Sequence, residues 1–227
     1  MLGYIKTLRD QGSDLFGKRK TLMSLWQELA EQFYVERADF TSCRYIGEEL
    51  ASNLTTSYPL IARRDLGNVI SSMLRPRNQK WFDVSVLYQE EQEKLDVESR
   101  RWLERATKIQ RRAIYDKNAK FVQATKEGDH DYVTFGQCVI SVEMNHKKNA
   151  LLYRNWHLRD VVWLEDYDRS ICQVFRRSKV PVHRLDREFK GNISAKAQKA
   201  HKKDPTTPLE YYHVVMPADR DWETERS

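Results

Sequence analysis

Residues 121–144 read FVQATKEGDHDYVTFGQCVISVEM, and the fold class turns on the position of Gly136 within them. Ahead of it, Phe121, Val122 and Thr125 belong to a helix that Asn118 is placed to cap, with Gly128 either ending or weakening it. Beyond it the period falls to two. QCVISVEM, ALLYRNW, DVVWLE and SICQVFRR are short runs rich in Val, Ile, Trp and Tyr, separated by NHKKN, HLRD and DYDR. Alternation broken by turn residues predicts an antiparallel meander.

Upstream of Gly136 the apolar residues keep helical spacing. Leu22, Leu25, Trp26, Leu29 and Phe33 define a helix over TLMSLWQELAEQFYVER, and Leu66, Val69, Ile70, Met73 and Leu74 a second that Pro76 stops. Between them residues 37–60 are less regular, and Pro59 is expected to close that section by pushing Tyr58 out of helical geometry. Trp102, Leu103, Ala106, Ile109 and Ala113 line one side of a third helix whose remaining surface carries Arg and Lys. The fold class is therefore α+β, an N-terminal helical half followed by a small antiparallel β-meander. The regions expected are 1–135 helical, 136–190 strands, 191–208 a basic helix or loop, and 209–227 a last strand with a polar tail.

Composition narrows the function. Six Trp, eleven Tyr and eight Phe in 227 residues suffice for a core, and 32% charged residues demand a charged surface. Cys43, Cys138 and Cys172 stand far apart without a CxxC pair, as expected in a reducing interior and not in a disulfide or zinc framework. No apolar run approaches a membrane span, and no signal-peptide core stands at the N-terminus, so an intracellular, soluble protein is expected. The chain lacks GxxxxGK[ST], GxGxxG, GxSxG and HExxH, so neither an enzymatic activity nor a cofactor is expected.

Three groups of polar residues carry candidate chemistry. Asp129, His130 and Asp131 are read as a solvated helix end or turn, against a metal set that adjacent residues form poorly. Glu48-Glu49 and Glu165-Asp166 are read as surface charge, and His213 as a half-buried, satisfied histidine. Basic residues offer more. The net charge is +6, and residues 176–203 hold ten basic side chains against two acidic ones. Arg176, Arg177, Lys196, Lys199, Lys202 and Lys203, with Arg75, Arg77 and Lys80 in LRPRNQKWFDVSV, are the candidate contacts to DNA or a neighbouring subunit. No base-reading motif accompanies them, so any DNA contact is to phosphate. Pro76, Trp81, Phe82 and Trp102 are the candidate structural anchors.

The order of these features resembles the head-to-tail connector, or portal, proteins of short-tailed, T7-like bacteriophages. The residues that carry the likeness are Pro76 with Trp81-Phe82, Trp102-Leu103 opening a helix, Asn118 with Phe121, Phe135-Gly136 entering a strand, and Val174 to Arg177 ending one in arginines. Asn118 and Phe121 are spaced more widely than the family's adjacent pair, and Met216-Pro217-Ala218 replaces the usual Pro-Arg step. The resemblance implies a homo-oligomeric ring, typically of twelve subunits, at one capsid vertex of the virion, assembled in the host cytoplasm. Double-stranded DNA would pass through it during packaging and ejection. Capsid and scaffolding proteins, tail proteins and a terminase would be its partners, the terminase supplying the ATPase. It also implies that this chain is the wing-like N-terminal part of a longer protein. The alternative is a DNA-binding accessory or metal-dependent nuclease-like protein using residues 176–203 and Asp129, His130 and Asp131.

Overall fold

The computed structural model describes residues 2–42, 47, 54–76, 79–87, 94–189 and 193–217. They fall into two compact units, Met1–Met23 with Leu158–Ser227, and Ser24–His157. Among the described residues, seven α-helices and two small antiparallel sheets make this an α+β chain, with most helices ahead of the strands.

In the first unit, helix α1 (Leu2–Lys18) packs on a sheet of order β3-β4-β5, formed by Val161–Glu165, Ile171–Pro181 and Pro208–Val215. Val162, Phe175 and Val214 lie side by side across the three strands, and Phe16 of α1 closes on them with Leu8, Leu15 and Tyr212. Leu8, Gly12, Leu15 and Phe16 fall on one side of α1 at helical spacing. Gly12 lets the helix come down on the sheet, since a Cβ there would stand 3.0 Å from Phe175 Cδ1. Two short helices follow the long strand, Val182–Phe189 and Ala195–Lys203 (here α6 and α7). They bury Val182, Leu185 and Ala197, and Ser194 caps α7 by accepting from Ala197 N. The basic stretch left open between helix and loop is thus a helix over 195–203.

The second unit contains α2 (Lys20–Phe33) from Ser24 on, a 3-10 turn (Val35–Arg37), α3 (Tyr58–Leu74), α4 (Val97–Ile114), α5 (Phe121–Phe135) and the hairpin β1-β2 (Val139–Met144, Leu151–Trp156). Trp26, Phe40 and Phe135 form its aromatic centre, with ring centroids 5.2–6.2 Å apart. Gln27 fixes the chain returning beneath α2: its Oε1 accepts from Phe40 N at 2.8 Å and its Nε2 donates to Ala38 O at 3.1 Å. A second aromatic group joins Trp81 to Phe121, stacked at 6.2 Å, and Phe121 to Tyr153 at 5.0 Å. Gly136, at φ 74°, ends α5 in the left-handed geometry that glycine adopts without strain, its N–H donating to Tyr132 O at 2.8 Å.

Several expectations change. The single meander is two sheets, because the 3-10 turn Leu158–Asp160, with Leu158 buried, separates β2 from β3. Asn118 does not cap α5; Lys120, at φ 58°, occupies that position. Tyr58 is helical and Pro59 sits in the first turn of α3, where a missing N–H costs nothing. Gly128 neither ends nor interrupts α5. It lies in the helix middle, where a Cβ would come within 2.9 Å of Ile140.

The apolar stripes also point elsewhere than expected. On α3 the buried residue is Gly67, while Leu66, Val69, Met73 and Leu74 are exposed. A Cβ at Gly67 would overlap the His130 imidazole, so contact with α5 fixes the rotation of α3 and turns the larger side chains outward. On α4 the buried residue is Thr107. It accepts from Val84 N at 3.0 Å and its hydroxyl reaches Asp83 Oδ1 at 2.7 Å, seating α4 on the segment 81–86. Trp102 and Ile109 are left 66% and 59% exposed, so Trp102 is no core anchor.

Candidate functional site

The densest polar cluster is buried, not solvated. Gly128, Asp129, His130 and Asp131 all lie on the inner part of α5. Residues two apart on a helix project about 200° apart, so the two carboxylates diverge. Asp131 is gripped by Arg37, whose Nε and Nη2 each donate at 3.1 Å, and by Asn155 Nδ2 at 2.5 Å. Asp129 pairs with Arg75 at the end of α3. Close by, His157 Nε2 lies 2.6 Å from Asp39 Oδ1. Among the described residues no three His, Cys, Asp or Glu side chains gather as metal ligands would.

Burial pushes the Asp131 carboxyl upward, and Arg37, Asn155 and His157 oppose that shift by favouring the ionised form. His130 lies between Gly67 and the Tyr34 ring, and its Nδ1 has no hydrogen-bond partner among the described residues. Burial, and after it the charges of Arg63 and Lys126, hold its pKa below the ordinary 6.5. The cluster does structural work: it joins α3, the 3-10 turn and β2 to one helix.

The predicted basic contacts separate. Arg75 is spent on Asp129, and Lys80 lies 2.6 Å from Asp83. Arg77 lies outside the described residues, as do Cys43, Glu48 and Glu49. Arg176 and Arg177 are half-buried on β4, and the Arg177 guanidinium sits 4.5 Å over the Phe16 ring. Lys196, Lys199, Lys202 and Lys203 are all exposed on α7, the first, second and fourth at i, i+3 and i+7 along one side. His213 is exposed and pairs across the sheet with Arg176, so it is not the half-buried residue expected. Trp81 and Phe82 are half-buried, with Trp81 Nε1 donating to Tyr115 OH at 2.9 Å.

Two further basic features stand apart from those contacts. Arg19 is buried enough that its pKa falls to about 10, donates to Val161 O and lies 5.2 Å from the Trp163 ring. On α4, Arg101, Arg105, Lys108 and Arg112 stand exposed at i, i+4, i+7 and i+11, a continuous basic stripe beside the apolar one. In the sequence these residues surround an apolar stripe and read as a charged, solvated face, and all four are exposed.

Two measurements test the buried cluster. Asp131→Ala leaves the Arg37 guanidinium unpaired and is expected to cost about 3–5 kcal/mol in urea denaturation; a loss under about 1 kcal/mol would refute the role given to the pair. His130 binds a proton less readily folded than unfolded. Its contribution to stability is therefore complete above the unfolded pKa near 6.5 and declines as pH falls below that value. The unfolding free energy should drop between about pH 7 and pH 5, and a non-titrating His130→Gln variant should flatten that part of the profile.

Comparison with curated proteins finds no match. Comparison with protein-family models finds the bacteriophage head to tail connecting protein family over residues 6–227, which is nearly the whole chain. Paired acids, exposed amphipathic helices and basic faces fit a protein that works by assembly, and the chain belongs to the bacteriophage head to tail connecting protein family.

Proposed function

We propose that this connector acts as a ring of subunits, typically twelve, at one capsid vertex, with double-stranded DNA passing through it in packaging and ejection. The observation that carries the reading is the apolar surface left open in the second unit. Tyr58, Leu66, Val69 and Met73 form a stripe along α3, and Trp102 and Ile109 another on α4, all exposed. A contiguous exposed apolar face on a folded chain marks an interaction surface. Large rings bury such faces between subunits.

In this reading the chain contributes a wing-like, peripheral layer that meets neighbouring subunits and capsid or scaffolding proteins. Tail proteins and an ATP-driven terminase bind the assembly, which forms in the host cytoplasm and stays in the virion. The chain itself performs no catalysis. DNA is met through phosphates only, and α7 is the favoured surface, since its four lysines are exposed while Arg75, Arg176 and Arg177 are drawn into the fold. The nuclease-like alternative loses its acids, Asp129 and Asp131, to Arg75 and Arg37.

Negative-stain electron microscopy of the full-length protein at rising concentration should show rings, and a full-length protein that stays monomeric throughout would overturn the reading. For DNA, replacing Lys196, Lys199 and Lys203 by Ala should weaken binding equally on unrelated duplexes. It should also lower the salt slope of the binding constant by about 2 to 3, one counterion release per lysine. An unchanged slope would remove α7 from the DNA surface.

A further inference from the structure

The turn between β3 and β4 holds a tyrosine in the open. Asp166 N donates to Ser170 O and Arg169 N to Asp166 O, both at 2.9 Å, with Arg169 at φ 64°. Asp166 Oδ1 accepts from Tyr167 N at 2.7 Å, and Asp168 Oδ1 accepts from Ser170 N and Oγ at 2.8 and 2.6 Å. These bonds fix the tip, yet the Tyr167 side chain is 95% exposed, and Ile171 beside it is exposed as well. A rigidly presented aromatic loses little freedom on docking, which is why tyrosines so often dominate interfaces. Around it stand Glu165, Asp166 and Asp168 against the single positive charge of Arg169, all exposed.

The second unit carries the opposite surface. On α4 the apolar stripe of Trp102, Ala106 and Ile109 runs beside the basic stripe of Arg101, Arg105, Lys108 and Arg112. At 1.5 Å per residue the basic stripe is about 16 Å long. At its N-terminal end an open groove of about 370 Å³ is lined by Val86, Leu95, Glu98, Ser99, Trp102 and Leu103. The groove can take an aromatic ring, and the stripe can answer carboxylates around that ring.

We propose that the Tyr167 tip of one subunit docks on the α4 surface of a second copy of this chain. The inference rests on the ring reading above and names the contact that would build it. Charge decides the geometry. Tip against tip would oppose carboxylates, and α4 against α4 would oppose cations, so a symmetric pairing is repelled either way. Tip against α4 pairs opposite signs and joins two different patches. Each subunit then keeps one free tip and one free α4 surface, and the contact propagates head to tail until a ring closes.

The test is self-association of the full chain, followed by sedimentation velocity, for Tyr167→Ala, for Arg105→Glu with Lys108→Glu, and for Asp166→Lys with Asp168→Lys. Thermal melts verify folding, and Tyr167→Ala removes only an exposed ring. Each variant should weaken association at least about tenfold. Mixing the two charge-reversed variants should restore it, because each then supplies a partner for the other's reversed patch. A photo-crosslinking residue at position 167 should label the 95–109 region of another copy. Variants that assemble like wild type, or crosslinks that map elsewhere, would overturn this contact and leave the ring reading standing. A wild-type chain that never assembles would overturn both.

Discussion

A carboxylate inside a helix-packed interior must be met by a cation and hydrogen bonds or it will not stay ionised. In the second unit that demand falls on Asp131, and Arg37 and Asn155 meet it together. The three residues come from α5, the 3-10 turn after α2 and strand β2, so one interaction ties three stretches of chain. Phe135, one turn further along α5, sits in the aromatic centre with Trp26 and Phe40. Register along α5 is therefore set twice over, by an ion pair that accepts only one geometry and by rings that fill one space.

Once α5 is placed, its neighbours have little freedom. Gly67 must face His130, since any side chain there would overlap the imidazole. Arg75, two turns on, then reaches Asp129. With α3 held by its smallest residue and by Arg75 just past its end, its apolar stripe is turned toward solvent. The same logic applies to α4, which is seated through the Thr107 hydroxyl rather than through Trp102 or Ile109. Polar contacts position these helices, and their large apolar residues are left exposed.

The first unit follows a plainer rule. Strand alternation places Val162, Phe175 and Val214 on one side of the sheet, and α1 covers them. Its surface is correspondingly more polar, with the lysines of α7 and the acidic β3-β4 tip both exposed. Opposite charges on the same chain favour contacts between unlike patches over contacts between like ones.

The switch of period at Gly136, the long amphipathic helices and the stop at Pro76 were all legible in the sequence, because spacing along a helix or strand is a local property. The sequence alone also determined the α+β class, while the helix over 195–203 emerged only from the structure. It could not determine which side of an amphipathic helix is covered by its own chain, because stripes that serve a core and stripes that serve an interface have the same period. Nor could it show that Asp129 and Asp131 are buried, since their partners Arg75 and Arg37 lie 54 and 94 residues away. Only the tertiary structure decided those points: an ion pair and a glycine contact between distant segments set how each helix is rotated, and rotation alone separates core from surface.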